Sequence, residues 1–149
     1  MEIRELSKSE LYELLDLYLD LHDEDESAPQ DGTLDLVWDK IQENPDYYCL
    51  GVFVHKKLVS TCSLMIIPNL TRGCRPYALI ENVVTHQSFR RKGYGKAILQ
   101  HSLNLAWANN CYKVMLQTGR LNEETFQFYE QAGFNRHAKQ AFVAKPKCT

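Results

Sequence analysis

No apolar run in the chain approaches the ~20 residues that a membrane-crossing helix needs. The start, Met1-Glu2-Ile3-Arg4-Glu5, lacks the apolar stretch of a signal peptide. Internal repeats and low-complexity linkers are also missing. The net charge is only −2, so the broad basic surface of a nucleic-acid or anionic-membrane binder is not expected, and neither partner is. Five cysteines, Cys49, Cys62, Cys74, Cys111 and Cys148, are scattered and odd in number. None forms a C-x-x-C or a Cys/His group at metal-ligand spacing, so no metal is expected. Three stand in or beside apolar runs and read as small buried hydrophobes. The default location is therefore reducing and cytoplasmic.

What is present fits one domain over 1–149, long enough to bury a sizeable core. Hydrophobic spacing and turn residues predict an order of elements. Residues 2–6 are a strand. Ser7 or Ser9 caps a helix carrying Leu11, Leu14, Leu15, Leu17, Tyr18 and Leu21. A polar, acidic loop follows over 22–32, then a second helix over 34–41. Strands over 47–54 and 58–67 form a hairpin about His55-Lys56-Lys57. After a loop over 68–76 come a buried strand over 78–85, a long helix from Ala97 to Asn109, and a strand over 113–117. A helix over 122–131 and a last strand over 138–144 complete the chain.

The strand Ala78–Thr85 and the long helix flank Arg90-Arg91-Lys92-Gly93-Tyr94-Gly95-Lys96. A strand, a glycine turn and a helix N-terminus make an anion cradle. Glycine lets the backbone approach closely, and the first helical N–H groups have no intrahelical partner. Arg90, Arg91, Lys92 and Lys96 suit a ligand with several phosphate charges. Taken alone, the glycine pair equally describes a solvated basic turn. It is neither the three-glycine dinucleotide fingerprint nor a Gly-Lys-Ser/Thr phosphate loop.

From Ala78 to Phe134 the sequence resembles the GCN5-related N-acetyltransferase (GNAT) family. Two motifs carry the resemblance. One is Arg90, Gly93 and Gly95, at the spacing of the family's pyrophosphate motif. The other is Asn122, Tyr129, Gly133 and Phe134, with Thr125 where a small Ala is frequent. Ile80-Glu81-Asn82-Val83-Val84 is similar to the central strand of small-amine members. The resemblance implies an α/β (α+β) fold with a mixed, mostly antiparallel central sheet flanked by helices and splayed at the cofactor site. The element order above agrees with it.

The resemblance also implies an activity, acetyl-CoA-dependent N-acetyl transfer to a primary amine by direct attack on the thioester, and assigns roles residue by residue. The cofactor's pyrophosphate falls to Arg90, Arg91, Lys92, Gly93, Gly95 and Lys96. Its peptide-like arm falls to the backbone edge of Val83, Val84 and Thr85, with Asn122 as helix cap, arm ligand or both. Glu81, the one carboxylate in 76–86, is the expected base, acting directly or through water. Pairing with Arg72 or Arg75 is its purely structural alternative. Tyr129 is the expected partner of the departing sulfur, against a core-packing role beside Phe126 and Phe128. His86 reads as a solvated histidine.

The acceptor is expected against the first helices, where Asp16, Asp20, Asp23, Glu24, Asp25 and Glu26 would draw a cationic amine, though such a run also suits a solvated loop. Tyr47, Tyr48 and Trp38 could line that pocket or pack the core. A small-molecule amine leads. A protein or peptide acceptor and a non-catalytic acetyl-CoA-binding module are the alternatives. The residues leave the oligomeric state open, while many members of the family pair as homodimers.

Overall fold

The computed structural model describes residues 1–21 and 27–146. The chain divides into two compact units, Met1–Leu116 and Gln117–Thr149. The first holds a five-stranded sheet in the order β1 (Glu2–Glu5), β2 (Tyr47–Val54), β3 (Lys57–Ile67), β4 (Tyr77–Thr85), β5 (Val114–Leu116). The first four strands pair antiparallel. β5 is parallel to β4 and pairs with it only over Ala78–Ile80. Beyond Ile80, β4 continues to Thr85 with no β5 partner. The mixed, splayed sheet expected from the resemblance is therefore present.

Helices α1 (Leu11–Tyr18) and α2 (Thr33–Glu43) bury one leucine-rich stripe and Trp38. Leu11, Leu14, Leu17 and Trp38 form one core with Leu6, Cys49, Phe53, Leu58 and Val84. Leucines at positions 11, 14 and 17 recur at helical spacing, which is why this segment folds as an amphipathic helix. Its start is fixed by a capping box, Ser7 with Glu10, over a short 3₁₀ turn at Lys8–Glu10. The later helix α4 (Tyr94–Ala108) buries Ile98, Leu99, Leu103 and Ala106. Its Ser102 hydroxyl meets the Cys62 thiol of β3 at 3.2 Å. Cross-strand pairs Leu50–Cys62 and Leu64–Ile80 carry that same face along the sheet.

Between β3 and β4, the single turn α3 (Thr71–Cys74) is left-handed, with positive φ at Arg72, Gly73 and Cys74. The second unit contains α5 (Glu123–Gln131), closed by a turn in which Arg136 binds both Glu123 and Glu130.

One expected element is corrected. No strand forms over 138–144. Phe142 and Val143 are 91% and 72% exposed there. Apolar, β-prone residues make a strand only where a ladder partner takes their N–H and C=O groups. The segment instead runs on irregularly from the turn at Asn135–Ala138.

Candidate functional site

The site grows from an irregularity in β4 that sequence spacing did not reveal. Ser63 pairs with Glu81 and Thr61 with Val84, so three steps on β4 face two on β3. The extra residue makes a bulge, and Asn82 takes φ 54° within it, a left-handed value that Asn tolerates better than most residues. Without the bulge, Val84 would share a face with Ile80, two pairs of residues earlier. With it, Val84 turns into the α1/α2 core, on the side where Glu81 also stands.

Glu81 is half-buried, and its carbonyl accepts from the Ser63 hydroxyl at 3.2 Å. The salt bridges that sequence offered as its alternative are absent among the described residues. Arg75 donates instead to the carbonyls of Asn110 and Cys111 after α4, and Arg72 stacks over Tyr112. Val83 and Thr85 are half-buried along the stretch of β4 that β5 leaves unpaired.

β4 passes through a 3₁₀ turn, Gln87–Phe89, into the glycine turn. His86 caps that 3₁₀ turn, its Nδ1 accepting from the Ser88 N–H at 3.2 Å, so it is a structural cap and not simply a solvated side chain. Arg91 has φ 60°, and Gly93, the N-cap of α4, has φ 85°. No side chain caps α4, and its first i→i−4 bond is from Ala97 N–H to the Gly93 carbonyl. The N–H groups of Tyr94, Gly95 and Lys96 therefore belong to the open helix end. A Cβ on Gly93 would meet nothing within 4 Å, so the glycine is required by its backbone angle and leaves clear space above the turn. Gly95 is buried in the first turn of the helix.

The basic side chains are not equivalent. Lys92 Nζ donates to the Ser88 carbonyl and lies 5.1 Å from the Phe89 ring centroid, and Lys57 of the hairpin lies 5.6 Å from the same centroid. Arg90 is held by protein acceptors, with Nε on the Thr85 carbonyl at 3.1 Å and Nη2 on the Asp20 carbonyl at 3.4 Å. Lys96 is exposed.

In the second unit, Asn122 is the N-cap of α5, its Oδ1 accepting from the Thr125 N–H at 2.9 Å. Tyr129 packs edge-on against Phe128 at 5.0 Å and Phe134 at 6.3 Å. The Gly133-Phe134 pair thus seats the tyrosine ring, with Gly133 at φ 102° where a side chain would be strained. Glu81, Val83, Val84, Thr85 and the 90–96 turn are contiguous in the first unit, while Asn122 and Tyr129 are placed within the second.

Spacing alone also missed Tyr18 and the role of Asp20. Burial pushes the Tyr18 phenol well above its ordinary range, with Asn82 beside it pulling the other way. Trp38 belongs to the core, 2% exposed. Asp23, Glu24, Asp25 and Glu26 lie outside the described residues. Cys49, Cys62 and Cys111 are buried free thiols, as their apolar surroundings suggested, and Cys74 is exposed. Burial pushes the Cys49 thiol up to about 12 and the Cys62 thiol up to about 11, so neither is a nucleophile near neutral pH. No described helix is long and apolar enough to cross a membrane.

Comparison with known proteins agrees with this geometry. A glucosamine 6-phosphate N-acetyltransferase of Trypanosoma brucei brucei is 39% identical over 92 residues, 60% of this chain and 60% of that protein. One from Arabidopsis thaliana is 32% identical over 84 residues, 56% and 54% of the two chains. The matches thus span less than two thirds of those relatives' lengths. Among solved structures, a provisionally assigned acetyltransferase from Agrobacterium tumefaciens str. C58 superposes with a TM-score of 0.91 at 36% identity, covering 98% of this chain and 100% of its own. The structure of an Arabidopsis thaliana glucosamine-6-phosphate N-acetyltransferase gives 0.85 at 25% identity, covering 99% and 98%. The Acetyltransferase (GNAT) family model matches residues 10–134. A bulged strand opening away from its parallel neighbour, a glycine turn entering an uncapped helix, and a family match over most of the chain agree: this protein belongs to the GNAT family of acetyltransferases.

Proposed function

We propose that the protein transfers the acetyl group of acetyl-CoA to the primary amine of a small molecule. The observation that carries this reading is the run of β4 beyond Ile80, unpaired by β5 and leading straight into the open N-terminus of α4. A free strand edge offers N–H and C=O groups to a peptide-like arm. A helix end with three unshared N–H groups and a positive dipole offers a seat to a pyrophosphate. The two sit one after the other along one segment, as an extended ligand with both parts requires. The chain's residues fit acetyl-CoA as co-substrate on those grounds.

In this reading Val83, Val84 and Thr85 hold the arm through backbone. The turn 90–96 holds the phosphates, mainly through N–H groups, with Lys92, Lys96 and Arg91 adding charge. Glu81, half-buried and outside every described ion pair, takes the proton from the acceptor's ammonium, directly or through a water. The freed nitrogen lone pair forms the new C–N bond, the C–S bond breaks, and Tyr129 supplies a hydrogen bond or proton to the leaving sulfur. Asn122 caps α5 and keeps Tyr129's helix in register.

For the acceptor we infer an amino sugar phosphate, with glucosamine 6-phosphate the first compound to test, on the strength of the relatives that act on it. Thiol release from acetyl-CoA is the assay, run with glucosamine 6-phosphate, glucosamine, an aminoglycoside and a peptide bearing free amines. Turnover on the amino sugar phosphate above the rest supports the reading, and turnover on the peptide alone would replace it with a protein acetyltransferase. Glu81→Gln should lower turnover roughly 10²–10⁴-fold while leaving acetyl-CoA affinity nearly unchanged. Full activity in that variant across the pH range would make Glu81 structural. Binding of acetyl-CoA without turnover on any amine would favour a non-catalytic module.

A further inference from the structure

The end of α1 runs beside the segment that leads from the strand bulge to the glycine turn and is bonded to its far end. At the bulge, the half-buried Tyr18 side chain lies beside Asn82. Two residues on, the Asp20 carboxylate accepts from the Gln87 N–H at 3.2 Å, and its Oδ1 lies 3.9 Å from Arg90 Nη2. The Asp20 carbonyl takes a bond from the same Nη2 at 3.4 Å, across 70 residues of sequence. Arg90 Nε completes the arrangement by donating to the Thr85 carbonyl at 3.1 Å. The side-on edge of the guanidinium, Nε with Nη2, is thus turned into the protein. That is one of the edges with which an arginine grips a phosphate by two parallel bonds.

Asp20 poses a physical puzzle in this place. Its side chain is only 19% exposed, and a carboxylate bonded to a turn that takes phosphates opposes their binding. Its position is accounted for by what it holds. We propose that Asp20 and Arg90 are positioning residues: together they splint the turn to α1, so that its N–H groups are already aimed when the phosphates arrive, and Arg90 does not itself contact the phosphates. The inference rests on acetyl-CoA binding as proposed above. It deepens that reading by making α1, the helix expected to border the acceptor, part of the cofactor seat.

The sign of one effect separates positioning from simple electrostatics. Charge alone makes Asp20→Asn bind acetyl-CoA more tightly, because a repelling carboxylate is gone. Positioning makes Asp20→Asn and, more strongly, Asp20→Ala bind it more weakly, by roughly five- to twentyfold for the latter, the size of a typical coupling between sites. Arg90→Ala should lose a similar factor, and the double variant Asp20→Ala/Arg90→Ala should lose no more than the worse single one. The salt dependence of binding should change no more in Arg90→Ala than, in the opposite sense, in Asp20→Asn, since each removes one nearby charge and neither removes a phosphate contact.

Calorimetry with acetyl-CoA at two salt concentrations reads all of these. Tighter or unchanged binding in the Asp20 variants, additive losses, or a salt dependence flattened by Arg90→Ala well beyond the opposite change in Asp20→Asn would overturn the proposal. Hydrogen exchange of the Gln87 amide in the ligand-free protein gives a reading that needs no ligand. It should speed up in Asp20→Ala while amides in β2 and β3 stay protected, which also shows that the variant folds. Unchanged exchange at Gln87 would overturn the splint by itself. Failure of the wild type to bind acetyl-CoA would count against the proposed function and leave the exchange result to decide this inference.

Discussion

Tyr129 joins two demands on one side chain, since its ring is packed between Phe128 and Phe134 while its hydroxyl is the group assigned to the sulfur. Tyr129→Phe separates the two, because it keeps the ring contacts and deletes only the oxygen. The variant is expected to melt with the wild type, to bind acetyl-CoA nearly as well, and to lose roughly 10²–10⁴-fold in a single-turnover rate. A single-turnover measurement is the appropriate one, because slow product release would mask a chemical defect in steady state. An unaltered rate would return the tyrosine to packing alone. At this scale the sequence was legible where a residue type and its spacing suffice. Asn122 does cap a helix, and three cysteines are buried. Asn82 was not legible. An Asn inside an apolar run carries no mark that a bulge, and not a regular pair, will place it at positive φ.

Elements here depend on a few contacts that can be challenged singly. Glu10 closes the start of α1 by accepting from the Ser7 N–H at 2.6 Å and the Ser7 hydroxyl at 2.8 Å, and it pairs with Arg4 of β1. The bond from Arg4, aided by those from Ser7 and opposed by burial, holds its carboxyl down to about 2, below its ordinary 4.5. A carboxyl lowered on folding adds stability that is fully present above about 4.5 and is lost as the pH falls through about 2. Glu10→Gln is therefore expected to cost about 1–2 kcal/mol at neutral pH and to flatten the acid limb of stability across that window. Urea unfolding at several pH values checks it, and an acid limb identical to the wild type's would contradict the assignment. In the sheet, a Cβ added to Gly51 of β2 would come within 2.7 Å of Leu58 Cδ1 and 3.0 Å of the Phe53 ring. Both neighbours are buried in the core. Gly51→Ala should thus cost about 1–3 kcal/mol by overpacking, measurable as a lower denaturant midpoint with unchanged slope. A midpoint equal to the wild type's would mean that the core yields.

For the whole molecule, ligand binding and stability are one quantity seen twice. If acetyl-CoA binds only the folded chain, a concentration one hundred times its Kd stabilises the fold by about 2.7 kcal/mol. In a chain of this size that corresponds to a rise in Tm of roughly 5–10 °C. The rise should disappear when Gly93 is replaced by Asp, which strains the turn and sets a negative charge at the helix end. A thermal melt with and without acetyl-CoA reads this directly, and no shift at saturating concentration would exclude the cradle as its seat.

The sequence by itself determined the family and the order of helices and strands through β5 and α5, apart from the left-handed turn α3 inside the expected loop over 68–76. These follow from short-range rules: hydrophobic period and capping residues. Three things were decided only in the tertiary structure. The bulge at Asn82 exists because β3 and β4 meet out of step, which neither strand encodes alone. The segment 138–144 is not a strand, because a short apolar, β-prone run without a ladder partner has nothing to take its N–H and C=O groups. Asp20, one acid in a run that suggested attraction for a cationic amine, instead holds the amide of Gln87 and the guanidinium of Arg90. The physical reason is common to all three: a hydrogen-bonding group's partner is set by what folding brings within about 3 Å of it, and partners 67 or 70 residues away leave no periodicity in the chain.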